Sequence, residues 1–379
     1  MVNGISFRSV LYAMISFIFF DSCTEPVTPE FEFKENLIFI DAWASTSPGA
    51  SFVIINNSII EFGVYGVQFV SGATVSFINV ENGSEVFLIE AGESYIAPAD
   101  FVVASGEQWK LKVSLMNGNV YESTSELVLQ PVPIGDMQVN YDPELAFGVS
   151  ENRFLPGHKI SVSFDDPMDQ ENYYYWSYRS LENLQLCAKC VDGVLRDGGC
   201  IPFDIGFLDP YFDYTCEVDC WRIRFPESIA IFSDEFSDGK AVSNFSVGNS
   251  LLYTKENMVI ELQQFSLTPA AYQYFKILKD IVDNNSGLNA PPPAALIGNL
   301  SNPNNPDEFV FGRFTAAATS VKSLFVERSN IEENPLDLRD PLIFEPTLNS
   351  PYPPPATVTA PCLESKFRTA NRPSGWIDN

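Results

Sequence analysis

Residues 109–123 read WKLKVSLMNGNVYES. Trp109, Leu111, Val113 and Leu115 alternate with Lys110, Lys112 and Ser114, the pattern of a strand with one buried and one wet face. Asn117-Gly118 follows, a dipeptide suited to a tight hairpin turn, and Val120 to Val128 runs back. Such a hairpin stays folded only if a second layer covers its apolar face.

The same grammar holds on either side. Upstream, Leu37–Ala42 (LIFIDA), Ser51–Ile55 and Ala73–Val80 read as strands. Glu81-Asn82-Gly83 turns the last of these into Val86–Glu90, and Gly92 to Tyr95 turns again. Short strands at this spacing predict an immunoglobulin-like β-sandwich over residues 37–133, cysteine-free and dependent on its core alone. Pro131 and Pro133 in LQPVPIG mark its end. Downstream, residues 134–379 are expected to form a larger β-rich domain, with KISVSF at 159–164, YYYWSY at 173–178, WRIRF at 221–225, MVIELQQF at 258–265 and EFVFGRF at 308–314. One amphipathic helix is predicted near 269–283. Thr268 is an N-cap, Pro269 takes the first helical position, and Tyr272, Phe275, Leu278 and Val282 recur on one face. Asn284 to Gly287 ends it, and Pro291 to Pro293 cannot continue it. From Glu333 the chain is rich in Pro and Asn and reads as an extended segment over the body, pinned by Cys362, with Trp376 as a surface anchor or groove filler. With 31 Phe, 15 Tyr and 45% hydrophobic residues the fold class is mainly β with a packed core.

The first residues have a different purpose. Arg8 precedes the apolar run Val10–Phe20, too short to span a bilayer, which needs roughly 20 residues. This predicts a signal peptide over 1–22. Phe20-Asp21-Ser22-Cys23 resembles a bacterial lipobox, with Asp21 an unusual residue for its place. Cys23 is therefore the expected lipidation site, and residues 23–36 an acidic tether.

Six cysteines remain: Cys187, Cys190, Cys200, Cys216, Cys220 and Cys362. An even number behind an export signal predicts disulfides. Five crowd into an insertion at 187–220, so at least one bridge must reach Cys362; the other pairings stay open. An all-cysteine zinc site is the rival reading. The formal charge of −27 excludes a nucleic-acid partner, whose phosphates would be repelled.

Catalytic chemistry does not announce itself. The single histidine, His158, reads as a turn or surface residue before a strand, and no Gly-x-Ser-x-Gly elbow is present. Phosphate-binding glycine loops are absent too. Asp165 and Asp166, or Asp213, Glu217 and Asp219, offer acid pairs, but acids abound. The densest loop carboxylates are Asp204, Asp209 and Asp213, then Asp234, Glu235 and Asp238; they suit calcium or plain solvation. No metal and no cofactor is expected. The aromatic run is the binding lead: if one of its faces is exposed, Tyr173, Tyr175, Trp176 and Tyr178 offer a platform.

Several stretches in order resemble one family: LIFIDAWAS behind Cys23, SGATVSFIN at 71–79, the 109–123 hairpin, LQPVPI at 129–134, SLTPAAYQYFKIL at 266–278, PPPAALIGNLSN at 291–302, FVFGRFTAAA at 309–318 and NRPSGW at 371–376. They resemble the Bacteroidota outer-membrane lipoproteins grouped as domain of unknown function 4249, companions of SusC-like TonB-dependent transporters. That resemblance implies a non-enzymatic, lipid-anchored outer-membrane protein facing the cell surface. It would act as accessory or lid subunit of such a transporter in nutrient uptake. A stand-alone surface binding protein for a peptide or glycan is the other expectation.

Overall fold

The computed structural model describes residues 36–61, 64–202, 210–283, 296–337, 340–345 and 358–378. Residues 36–133 lay down β1 (Ile38–Ser45), β2 (Phe52–Glu61), β3 (Val64–Phe69), β4 (Thr74–Asn79), β5 (Glu85–Phe87), β6 (Ile89–Glu90), β7 (Tyr95–Ile96), β8 (Gln108–Ser114), β9 (Val120–Ser123) and β10 (Glu126–Leu127). Next come β11 (Asp136–Gly148), β12 (Arg153–Asp165), β13 (Tyr173–Asn183), β14 (Leu186–Val191), β15 (Gly193–Arg196), β16 (Gly199–Pro202), β17 (Tyr211–Cys216), β18 (Trp221–Arg224), β19 (Ala230–Ser233), β20 (Ala241–Leu251) and β21 (Met258–Ser266). Helix α1 (Pro269–Asp283), β22 (Leu300–Ser301), β23 (Val310–Val326), β24 (Thr359–Ala360) and β25 (Arg368–Thr369) complete the described elements. The signal peptide, Cys23, nearly all of the tether, Asn284–Gly287 and the Pro291–Pro293 run lie outside the described residues.

The hairpin that decides the fold is β8–β9, paired Lys112 to Glu122 and Val113 to Tyr121. Asn117 Oδ1 accepts the Asn119 N–H, and Gly118 takes a φ of 90° that few other residues tolerate. Trp109, Leu111 and Val113 point inward with Val75 and Phe77 of β4. They meet Ile40, Ala42, Val53 and Ile55 of β1 and β2, so two sheets enclose one core. The sheet holding β1 curls as a half-barrel.

Residues 37–133 do not close their core alone. The first core is finished by residues from far downstream: Leu300, Val310, Phe314, Ala316 and Ala318. β1 lies parallel to β23, from Ile38 opposite Val310 to Ser45 opposite Ala317, and β22 pairs with β9. Sequence spacing alone gives no hint of a strand borrowed across such a distance. Pro131 and Pro133 flank the passage between cores: Val128 belongs to the first and Val132 to the second.

The second core lies between β11-β12-β20 and the strands β13, β19 and β21. β23 serves both cores. Its first half pairs with β1, and its second half, from Ala318 to Val326, pairs antiparallel with β21. The helix forms where predicted. Thr268 Oγ1 accepts the Ala271 N–H at 3.3 Å, and Ala271 and Phe275 pack with Trp43, Phe265 and Ala317 on the outer side of the large sheet.

Candidate functional site

The cysteines build a separate module. All six pair as Cys187–Cys216, Cys190–Cys200 and Cys220–Cys362, which leaves no thiolate for a zinc site. Sheet β14-β17-β24 and hairpin β15–β16 wrap a small core of Val194, Leu195, Phe212, Tyr214 and Ala360. Inside it Arg196 holds Glu345 at 2.6 Å, and the Tyr214 hydroxyl donates to the same carboxylate. Burial works to raise the Glu345 pKa, but these donors keep it below the usual carboxylate range. Asp213 is buried and accepts the Ile343 N–H. Asp204 and Asp209 lie outside the described residues.

Two clefts flank the seam between this module and the end of the large sheet. One, of about 350 Å³, has Lys189, Asp337, Asp340 and residues 186–188 of β14 in its wall. The other, of about 600 Å³, is walled by Phe225, Tyr253, Leu363 and Phe367. Arg222 and Arg368 line both. They are direct cross-strand partners of β18 and β25. Beneath them Glu182, almost fully buried, binds Arg328 at 2.9 Å and Arg224 at 3.1 Å. Arg328 is wholly buried, and that burial lowers its pKa despite Glu182.

The aromatic run is not a platform. Tyr174, Trp176 and Tyr178 are in the second core; Trp176 Nε1 donates to Gln264 and the Tyr178 hydroxyl to the Asn249 carbonyl. On the opposite face Tyr173 stacks near Tyr272 of α1, and Tyr175 sits against Phe275 and Trp43. Both faces of this strand are covered because it is central, with β21 on one side and β18 and β19 on the other. Alternation alone cannot reveal a covering helix.

His158 is neither turn nor surface. It is 2% exposed inside β12, packed on the Tyr141 ring, and its Nδ1 has no partner. Burial, with Arg328 nearby, pulls its pKa down to about 4. Asp166, Asp234 and Asp238 place carboxylate oxygens within 4.8 Å of one another. Neutral donors already occupy them: the Tyr174 hydroxyl and Gly239 N–H on Asp166, Asn172 on Asp234, and the Asp169 N–H on Asp238. Glu235, Asp165, Glu217 and Asp219 are exposed and apart from them.

Sequence reading missed an exposed apolar border. At the open side of the first core, β3 and β6 end the large sheet and β5 ends the six-stranded one. Val64 and Val67 on β3, Phe87 on β5, Ile89 on β6 and Ile96 on β7 are exposed there, Val64 at 69% and Ile89 at 67%. Soluble proteins usually guard such edges with lysine, proline or a bulge, but β3 (VYGVQF) has neither lysine nor proline. Phe147, Val149 and Phe154 form a second exposed group at the tip of the β11–β12 hairpin.

These features define a class: a mainly β protein of two cores sharing one strand, with a cystine-braced module and, among the described residues, an uncovered apolar edge. The chain belongs to the family described as Domain of unknown function (DUF4249), whose model matches residues 24–323. No curated protein and no solved structure matches it.

Proposed function

We propose that the protein is a non-enzymatic, lipid-anchored outer-membrane lipoprotein. It docks through the open edge of its first core onto a SusC-like TonB-dependent transporter and assists nutrient uptake as an accessory or lid subunit. The observation that carries this reading is the exposed border of Val64, Val67, Phe87, Ile89 and Ile96. Among the described residues β3, β5 and β6 have no strand on their outer edge; such edges offer main-chain donors and acceptors to a partner, and the apolar side chains add area to the contact. Cys23 holds the lipid and residues 24–36 tether the body outside the cell. The family match beginning at Thr24, directly after Cys23, supports that boundary. A lipid confines the protein to one surface, so a weak edge contact becomes effective by raised local concentration.

The test uses the full lipid-anchored chain carrying an affinity tag in its own host. Detergent extraction and affinity capture recover a TonB-dependent barrel in stoichiometric amount, and metabolic labelling with a palmitate analogue marks Cys23. Val67→Lys with Ile89→Lys abolishes barrel recovery without changing the label. Recovery of the wild-type chain alone overturns the docking reading, and a mature chain without acyl mass overturns the anchor.

A further inference from the structure

We infer that the groove running over Arg222 and Arg368 binds the free C-terminus of a peptide, with its carboxylate on the two guanidinium groups. This goes beyond the docking reading and uses a different part of the molecule.

The chain has 49 acidic residues and 22 basic ones, yet Arg222 and Arg368 stand directly opposite each other on adjacent strands. Like charges in that position repel. Neither side chain is fully neutralised. Arg222 meets Asp337 at 3.6 Å, too long for a good hydrogen bond, and stays partly exposed. Arg368 spends Nη1 on the Cys187 carbonyl at 2.8 Å. Burial and the charge of Arg222 together lower the Arg368 pKa, so an anion between them is favoured. Guanidinium forks match a carboxylate with paired hydrogen bonds.

The surroundings select the rest of the ligand. On one side lies β14, an edge strand of its sheet, whose residues 186–188 wall the cleft. The Arg368 bond to the Cys187 carbonyl shows that this strand's outer edge turns toward the guanidinium pair. An extended peptide adds to such an edge through main-chain bonds. On the other side Phe225, Phe367 and Leu363 offer apolar surface beside Glu227 and Glu364, with Phe367 and Leu363 exposed and the Lys366 ammonium 5.7 and 5.6 Å from the two ring centres, which suits an apolar last side chain next to a carboxylate. Glu182, Asp213, Asp337 and Asp340 line the same cleft against Lys189 and the two arginines, a balance that rejects a polyanion and leaves the guanidinium pair for a single carboxylate. Apart from the Cys187 carbonyl, which Arg368 already holds, no strand pairs with that edge of β14 among the described residues, and an open backbone edge favours a peptide over an acidic sugar, which has no strand to add.

The probe is a pool of fluorescent tetrapeptides randomised at every position, offered to the full-length protein in detergent. The free-acid pool binds, the amidated pool binds at least about tenfold more weakly, and added salt weakens the acid pool. Arg222→Gln/Arg368→Gln removes the difference between the pools. Arg222→Gln alone, at a partly exposed side chain, reduces it and melts no lower than wild type, which separates lost binding from lost folding. Equal binding of acid and amide, or no binding of either, overturns the inference. Binding of an oligoglucuronide in place of the peptides also overturns it, by assigning the arginine pair to a sugar.

Discussion

His158 gives the sharpest test of the packing, because it is the only histidine in the chain. Its imidazole is held neutral to about pH 4, against an ordinary value of 6.5. Below pH 6.5 the unfolded chain takes up a proton that the folded chain refuses, so stability falls as pH falls. The loss ends near pH 4, where the folded state also protonates. A difference of 2.5 between those two values corresponds to about 3 kcal/mol in total, with about 2 kcal/mol gone by pH 5. Above pH 6.5 the group contributes nothing to the slope. Asp41 acts in the opposite sense. Desolvation pushes its carboxyl up to about 6, so it favours the folded state as pH falls. The His158 share is therefore the difference between wild type and His158→Leu, measured by urea unfolding at pH 7, 6 and 5. A carbon-13 histidine label in protein freed of any histidine tag gives one imidazole signal. It should stay at its neutral position to below pH 5. A titration midpoint near 6.5, or parallel pH slopes for the two proteins, would refute the burial argument.

Three further outcomes follow from the same contacts. Glu182→Gln leaves Arg328 buried without its counter-charge and should cost about 3–5 kcal/mol in denaturant unfolding. Cys220→Ser with Cys362→Ser opens a bridge across 142 positions; the chain-entropy estimate is a loss of about 5 kcal/mol, with protease cutting after residue 362 in the folded protein. Gly312→Ala should destabilise the first core by more than about 1 kcal/mol. Its φ is 95°, and an added Cβ would collide with the Ile40 carbonyl; thermal melting reads the effect.

The local features of this fold were legible in the sequence, and the distant ones were not. The β8–β9 hairpin, α1 and the need for Cys362 to bridge back all rest on signals within a few residues or on simple parity. β11 and β20 escaped notice. β11 carries Pro143 between Asp142 and Glu144, and β20 carries Gly248 among polar residues, so neither shows the apolar alternation of a half-buried strand. Their partner β12 supplies the core side chains Ile160, Val162 and Phe164. The aromatic run and His158 were misread for one reason: exposure depends on which element covers a strand, and α1 and the β11-β12-β20 sheet arrive from elsewhere in the chain. The arginine pair was invisible because Arg222 and Arg368 meet only through strand pairing.

The shared strand imposes an order of events on the newborn chain. Ser45 and Thr319, which bond where β1 meets β23, are 274 positions apart. As the polypeptide emerges amino end first, β1 pairs at once with β2, but its other edge finds no permanent neighbour until β23 has appeared. Until then the apolar sides of these strands invite the wrong company. A holding chaperone would shelter them, and truncation before residue 310 would leave an insoluble fragment instead of a smaller working protein.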